Sequence, residues 1–299
     1  MEQQNANKFK KPVFDGAQHV LTMEDGQDVI LEPFQDFSNM IFVECDLSGL
    51  SLTSCNFRNC QFVSCQIDYT EFSHSDFSGA TFTDSDISGS AFLWGKLHKA
   101  VFRNCNLDRV RFNYAYMQKI LFETCSLSYS EFMQSNLAKS MFKKSSLDGC
   151  EMHGTNAKNS FFEQVSAKED TWRLIGVDLS GSTLMKCNTK NLTAFKCTFN
   201  NIFLDQTNLW QSKFLFCSFT QLIAVHTGLN ESKFRDCLII SCDFNACRLR
   251  TTNFERSFFE GSKIAYCLLE SADFSESIIL GMEMVDNYCG SEDQFPTVY

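Results

Sequence analysis

Read for its apolar positions, the chain has a period of five. From Phe37 to Phe162 every fifth residue is apolar: Phe37, Phe42, Leu47, Leu52, Phe57, Phe62, Ile67, Phe72 and onward, 26 centres in all, Ala157 being the weakest. The register then slips by two residues, and 23 further centres run from Leu174 to Met284, with Thr189, Ala194 and Ala224 the poorest. Two residues before most centres stands a small or compact residue, as at Cys45, Cys55, Cys60, Cys65, Ser75, Ala80 and Ser85, and the residues between are mainly polar. Neither the 3.6-residue period of a helix nor the two-residue period of a strand produces this pattern.

A longer period lies above the five. Phe42, Phe62, Phe82, Phe102, Phe122, Phe142 and Phe162 recur at spacing 20, and Phe72, Phe92, Phe112 and Phe132 form a second series offset by ten. In the second run Phe214, Phe234, Phe254 and Phe274 recur at twenty while Leu209, Leu229, Leu249 and Leu269 form a separate series. Like residues every four units imply that four units make one coil and that equivalent side chains stack from coil to coil. Backbone N–H and C=O groups left by one turn are then paired by the next, at an interstrand spacing of about 4.8 Å.

Units such as Cys45-Asp46-Leu47, Ser75-Asp76-Phe77, Cys105-Asn106-Leu107, Cys242-Asp243-Phe244 and Ala272-Asp273-Phe274 resemble the A(D/N)LXX signature of the pentapeptide-repeat family. The resemblance implies an all-β fold: a right-handed, four-sided parallel β-helix of about twelve coils with one phase break. The central Leu or Phe and the small residue two before it point inward. The expected organisation is a cap over residues 1–36, a first run over 37–162, a break over 163–176 as a loop or bent coil, a second run over 177–284, and a tail over 285–299. Asp25-Gly26 between Val20-Leu21-Thr22 and Val29-Ile30-Leu31 is a hairpin signal within the cap. Small residues are expected where the wall turns.

Fourteen of the fifteen cysteines occupy the slot two before a centre, only Cys289 lying outside it. The pattern reads as packing, since free Cys is a small, readily buried apolar group. Zinc at Cys237, Cys242 and Cys247 is disfavoured because the three fall on successive sides of one coil, whereas a metal needs convergent ligands. So many thiols suit a reducing compartment. His19, His74, His98, His153 and His226 are scattered with no triad or metal spacing, and a filled solenoid is expected to offer no cleft. No catalytic residue, metal or cofactor is expected. No apolar run spans a bilayer and the N-terminus lacks a signal-peptide core, which points to the cytoplasm or to export without a cleavable leader.

Two functions of different class remain. The first is a rigid scaffold that binds another protein, with a homodimer open; the resemblance extends this to bacterial adaptors or effectors associated with secretion. The alternative is a DNA-mimicking protein that binds gyrase and confers resistance to a quinolone or toxin. The net charge of −10 argues against direct binding of nucleic acid. Its distribution argues against mimicry. Residues 37–95 carry seven acids against Arg58, but 96–162 carry ten basic residues against five acidic, so no continuous negative stripe runs along the coils. The spacing of twenty places His74, Trp94 and Tyr114 on one ridge and Lys99, Lys119 and Lys139 on another, with Lys96 and Tyr116 near both. Aromatic anchors beside cations that repel one another at successive coil spacings suit an interface that recognises an anionic partner surface.

Overall fold

The computed structural model describes residues 8–15, 18–23, 28–167 and 171–290. Every described element is a β-strand or turn, and the coils stack as a parallel β-solenoid of about twelve turns in all. The chain divides into two compact units, Met1–Ser146 and Leu147–Tyr299.

In the first unit each coil has four sides, one of which forms regular strands: Ile41–Val43, Gln61–Val63, Thr81–Thr83, Val101–Arg103, Leu121–Glu123 and Met141–Lys143. They pair in parallel with residues twenty apart opposite one another, for example Phe62↔Phe82 and Phe82↔Phe102. Phe42, Phe62, Phe82 and Phe102 therefore form a column of nearly parallel rings with centroids 4.6, 4.5 and 4.5 Å apart. The other three sides are held by single bridges and tight turns between coils. The central residues are fully buried, as is the small residue two before each.

That small slot bonds as well as packs. Ser75 Oγ donates to the Leu52 carbonyl at 2.9 Å and accepts the Cys55 N–H at 2.9 Å, closing two backbone groups of the previous coil. Thr70 Oγ1 donates to Leu47 O at 2.7 Å, and Cys60 Sγ to Phe37 O at 2.9 Å. Ser, Thr and Cys are the small residues that carry a donor, and buried backbone carbonyls at a turn require one.

The wall turns elsewhere than expected. The left-handed residue lies two after each centre, not two before: Trp94 has φ 59°, Lys99 59°, Tyr114 62° and Lys119 62°. Most corners carry side chains other than glycine, although the left-handed region favours Gly. The Asp or Asn one before the centre assists the turn, since its Oδ1 accepts the N–H two residues on, as in Asp46 to Ser48 and Asp76 to Ser78.

Over the start of the first unit, Gln18–Met23 pairs antiparallel with both Lys8–Asp15 and Asp28–Ile30. Lys8 and Phe9 in turn lie parallel to Ile41 and Phe42, so the unit's first strand is covered along its edge. The turn at Asp25-Gly26 falls outside the described residues, between the paired Thr22 and Asp28.

The second unit has strands on three sides: a ladder through Phe161–Glu163, Thr183–Met185, Phe203–Asp205 and on to Glu283–Val285; another from Glu151–His153 to Lys233–Arg235; and a third from Ser218–Thr220 to Ile278–Leu280. Partners are 22 apart at Phe162↔Leu184 and Met152↔Leu174, then 20 apart from Leu184↔Leu204 onward. The two extra residues fall between Ala167 and Trp172. Both of these are fully buried, so coil positions occupy the flanks of the expected break, and Trp172 fills a slot that in most other coils takes a smaller residue. At the far end Cys289 is buried five residues beyond Met284, and Leu269 N–H bonds Tyr288 O, which carries the coil past 284. Residues 291–299 of the expected tail lie outside the described residues.

Candidate functional site: an aromatic and basic face of the first unit

The corner that follows Phe72, Phe92 and Phe112 carries His74, Trp94 and Tyr114, all with positive φ. Trp94 and Tyr114 stack face to face, centroids 4.3 Å apart and planes 5° from parallel. Trp94 nevertheless leaves 48% of its surface exposed. The next corner carries Lys99, Lys119 and Lys139, each exposed. Between the corners Lys96 and Tyr116 face each other as bridge partners, Tyr116 51% exposed. All eight expected residues thus stand on two adjacent corners and the side between them.

None of Lys96, Lys99, Lys119 and Lys139 has a carboxylate partner among the described residues, although coil-to-coil ion pairs form elsewhere in this unit, as at Arg103–Glu123, 2.9 Å. Lys99, Lys119 and Lys139 stand on successive coils about 4.8 Å apart along the backbone, so their ammonium groups repel one another. Two neighbours were not anticipated. Met133, 38% exposed, receives the Tyr114 hydroxyl at 3.5 Å, and Asn113 braces it by accepting the Met133 N–H at 2.8 Å. A second aromatic corner, Tyr69, Gly89, Arg109 and Tyr129, obeys the same spacing of twenty, with the Arg109 guanidinium 5.8 Å from the Tyr129 ring.

All fifteen cysteines are buried and outside any disulfide. Cys237, Cys242 and Cys247 aim their thiols at three different carbonyls, Phe214, Phe219 and Ala224, at 3.3–3.4 Å, and so diverge. Among the described residues no group of three or more His, Cys, Asp or Glu is placed to hold a metal. Burial pushes the Cys60 thiol up to about 12 and those of Cys187 and Cys242 up to about 11, so these groups are held as protonated donors rather than nucleophiles. His74, His153 and His226 are exposed and His98 is half-buried; the side chain of His19 lies outside the described residues.

The expectation of a surface without a cleft fails in the second unit. There a notch of about 500 Å³ is lined by Gln206, Asn208, Trp210, His226, Gly228 and Arg248 among others. It arises from missing side chains, Gly228 in the series Asn208, Gly228, Arg248, and Ala246 on the adjoining corner. The sequence signal was present, as a gap in two spacing-20 series.

A family model for the pentapeptide repeat region matches residues 35–93 and 95–172, over coils whose inward centres, bonded slots and four-sided stacking have just been described. This is a pentapeptide-repeat protein. Such proteins are in general non-catalytic scaffolds. A comparison with curated proteins finds no match. Among solved structures the chain is similar to QnrB1, a plasmid-mediated fluoroquinolone resistance protein, at 17% identity over 60% of this chain and 88% of that one, TM-score 0.36. It is similar also to HetL, involved in heterocyst differentiation regulation in the cyanobacterium Nostoc, at 13% identity over 79% and 87%, TM-score 0.22. A third likeness, to the alginate lyase AlyF-OU02, has 8% identity over 85% and 79%, TM-score 0.45. At these identities and scores the likenesses carry no argument about a role, and the architecture rests on the coils themselves. No helix among the described residues is long and apolar enough to cross a membrane.

Proposed function

We propose that this pentapeptide-repeat protein is a non-catalytic binding scaffold whose main recognition face is the surface formed by His74, Trp94, Lys96, Lys99, Tyr114, Tyr116, Lys119 and Lys139, and that it takes an anionic patch on a partner protein, as an adaptor or effector associated with bacterial secretion. The observation that carries the reading is the exposed Trp94–Tyr114 stack beside four lysines with no carboxylate partner. Trp and Tyr offer large contact area at low entropic cost, and burying them beside unneutralised cations yields both affinity and orientation. A partner carboxylate surface relieves the lysine repulsion on binding.

The gyrase-directed alternative needs a dense acidic stripe, and the acids of 37–95 are in part committed to the fold. Asp46, Asp76 and Asp86 each accept a backbone N–H at their own turn, and Asp68 accepts the Ser48 hydroxyl at 2.6 Å. The test is capture of partners from the native cell by the purified chain and by Trp94→Ala/Lys119→Glu, gyrase subunits being scored explicitly. The double variant is expected to lose the captured partner while melting within a few degrees of the parent. Undiminished capture places the face elsewhere. Gyrase as the captured partner, with rescue of supercoiling in the presence of a quinolone, replaces the scaffold reading by the mimic.

A further inference from the structure

The notch of the second unit has the chemistry of a binding site, and it belongs to a different unit from the face proposed above. Three series of residues, each at spacing twenty, cross it. The corner series runs Lys186, Gln206, His226, Ala246, Tyr266; the series just before the centres runs Asn188, Asn208, Gly228, Arg248; the series just after runs Lys190, Trp210, Asn230, Arg250. Where side chains are absent, at Gly228 and Ala246, the surface drops into a depression of about 500 Å³, within the range of ligand-holding clefts. Trp210, 42% exposed, forms one wall, and Arg248 and His226 stand at the rim. Asn208 is fixed in place: its Nδ2 donates to Asn188 Oδ1 at 3.0 Å, and its Oδ1 accepts the Trp210 N–H at 3.0 Å.

Several basic side chains of this unit are neutralised from coil to coil: Arg173–Glu151 at 2.6 Å, Lys158–Asp178 at 2.9 Å, Arg250–Glu270 at 2.8 Å, Arg256–Asp236 at 2.8 Å and Lys263–Glu283 at 2.9 Å. Arg248 at the notch has no such partner among the described residues, and neither do Lys186 and Lys190 one coil before the lining Gln206 and Trp210. A chain of net charge −10 thus keeps Arg248 uncompensated at this polar depression, with two further uncompensated lysines one coil before it. Arg presents a planar fork that fits carboxylate oxygens two at a time, and the neighbouring indole offers a flat apolar wall to the stem of an acidic side chain.

We infer that this notch is a docking site for an acidic segment of a partner protein, with an Asp or Glu carboxylate seated on Arg248, its aliphatic stem against Trp210, and flanking acids drawn by Lys186 and Lys190. The site is open because Gly228 has no side chain, and filling it is sterically cheap. A methyl group there would meet nothing closer than Asn208 Oδ1 at 3.4 Å, and the same series carries Asn and Arg in adjacent coils.

The experiment is a fluorescence titration of the full chain carrying Trp94→Phe, which leaves Trp210 as the exposed indole while Trp172 is buried. The probes are hexaglutamate, hexalysine and inorganic phosphate, each at two salt concentrations. Hexaglutamate is expected to shift Trp210 emission saturably, more weakly at high salt. Gly228→Leu and, separately, Arg248→Gln are expected to weaken it by about tenfold or more, with circular dichroism and melting unchanged. Lys119→Glu, on the other unit, is expected to leave this titration as it is. No hexaglutamate shift, an equal response to hexalysine, phosphate binding as tightly as the peptide, or an Arg248→Gln titration equal to the parent each overturns the assignment.

Discussion

Between Phe42 and Phe142 the first unit is filled by columns of parallel rings, whereas the second, from Leu174 to Leu229, is filled mainly by Leu with Ala and Thr among its centres. Phe occupies thirteen of the 22 centres from 37 to 142 and nine of the 27 from 147 to 284. The deficit in ring volume is met by exchange: Leu192 precedes Ala194 and Leu222 precedes Ala224, so the large side chain moves from the centre into the slot. Trp172 adds a large side chain to the slot before Leu174, which keeps its own. The exchange is incomplete. An apolar void of about 20 Å³ remains among Trp172, Leu174, Leu204 and Phe214, and Trp172 Nε1 and Thr189 Oγ1 are buried without a partner. Identical rings twenty residues apart tile a core without gaps; mixed side chains do so only approximately. The backbone ladder tolerates both, because coil-to-coil hydrogen bonds do not depend on what the centres are.

The largest expected effect is one the units share. Cys60 in the first and Cys187 and Cys242 in the second are held protonated by burial, at about 12, 11 and 11 against an ordinary 9.0. Above pH 9 the unfolded chain releases these protons while the folded chain keeps them. Stability is therefore fully present below pH 9 and falls as pH rises toward 11, by about 1.4 kcal/mol per pH unit for each such thiol. Urea melts from pH 8 to 11 should show this decline, and Cys60→Ser/Cys242→Ser should flatten it by about two thiols' worth. An unchanged slope in that variant would show that the thiols do not govern the alkaline limit.

Core truncation should separate the units. Phe82 is fully buried between Phe62 and Phe102, each 4.5 Å away, and Phe82→Ala should cost about 3–5 kcal/mol. Leu204 already borders the void, so Leu204→Ala loses fewer contacts and should cost nearer about 2 kcal/mol. Chemical denaturation of both variants decides it. An equal or larger loss at Leu204 would mean that the second core is as tightly packed as the first.

The coils were legible in the sequence because every fifth residue faces one environment, so a single period encodes the whole core. The ridge of Trp94 and Tyr114 was legible for the same reason, one level up, through the spacing of twenty. The hydrogen-bonding role of the slot was not, since Ser, Thr and Cys are small and are donors at once, and composition cannot say which property is in use. Corners were misplaced because residues as different as Trp94, Lys99 and Gln134 all adopt positive φ there, leaving no residue type to mark the turn. Strand Lys8–Asp15 was hidden by Pro12, which argues against a strand; it sits where the pairing register shifts, between Lys10 and Val13. The notch escaped a reading of side chains because it consists of their absence at Gly228 and Ala246.

The smallest effect is also the one with opposite signs in the two units. Thr70 of the first unit sits in a slot, and its hydroxyl donates to Leu47 O at 2.7 Å. Thr189 of the second sits at a centre, fully buried, with a hydroxyl that meets no partner. Valine has the shape of threonine without the hydroxyl, so the same substitution asks opposite questions at the two sites. Thr70→Val removes the shorter of two hydrogen bonds to the Leu47 carbonyl, leaving only the Leu50 N–H at 3.2 Å, and should cost about 1 kcal/mol. Thr189→Val removes an unpaired polar atom from an apolar interior and should gain about 1 kcal/mol, or roughly 2–4 °C in melting temperature. Thermal melts of the two variants against the parent measure the difference directly. Destabilisation by Thr189→Val would mean that its hydroxyl is bonded in solution, and that the second core is better satisfied than its mixed composition implies.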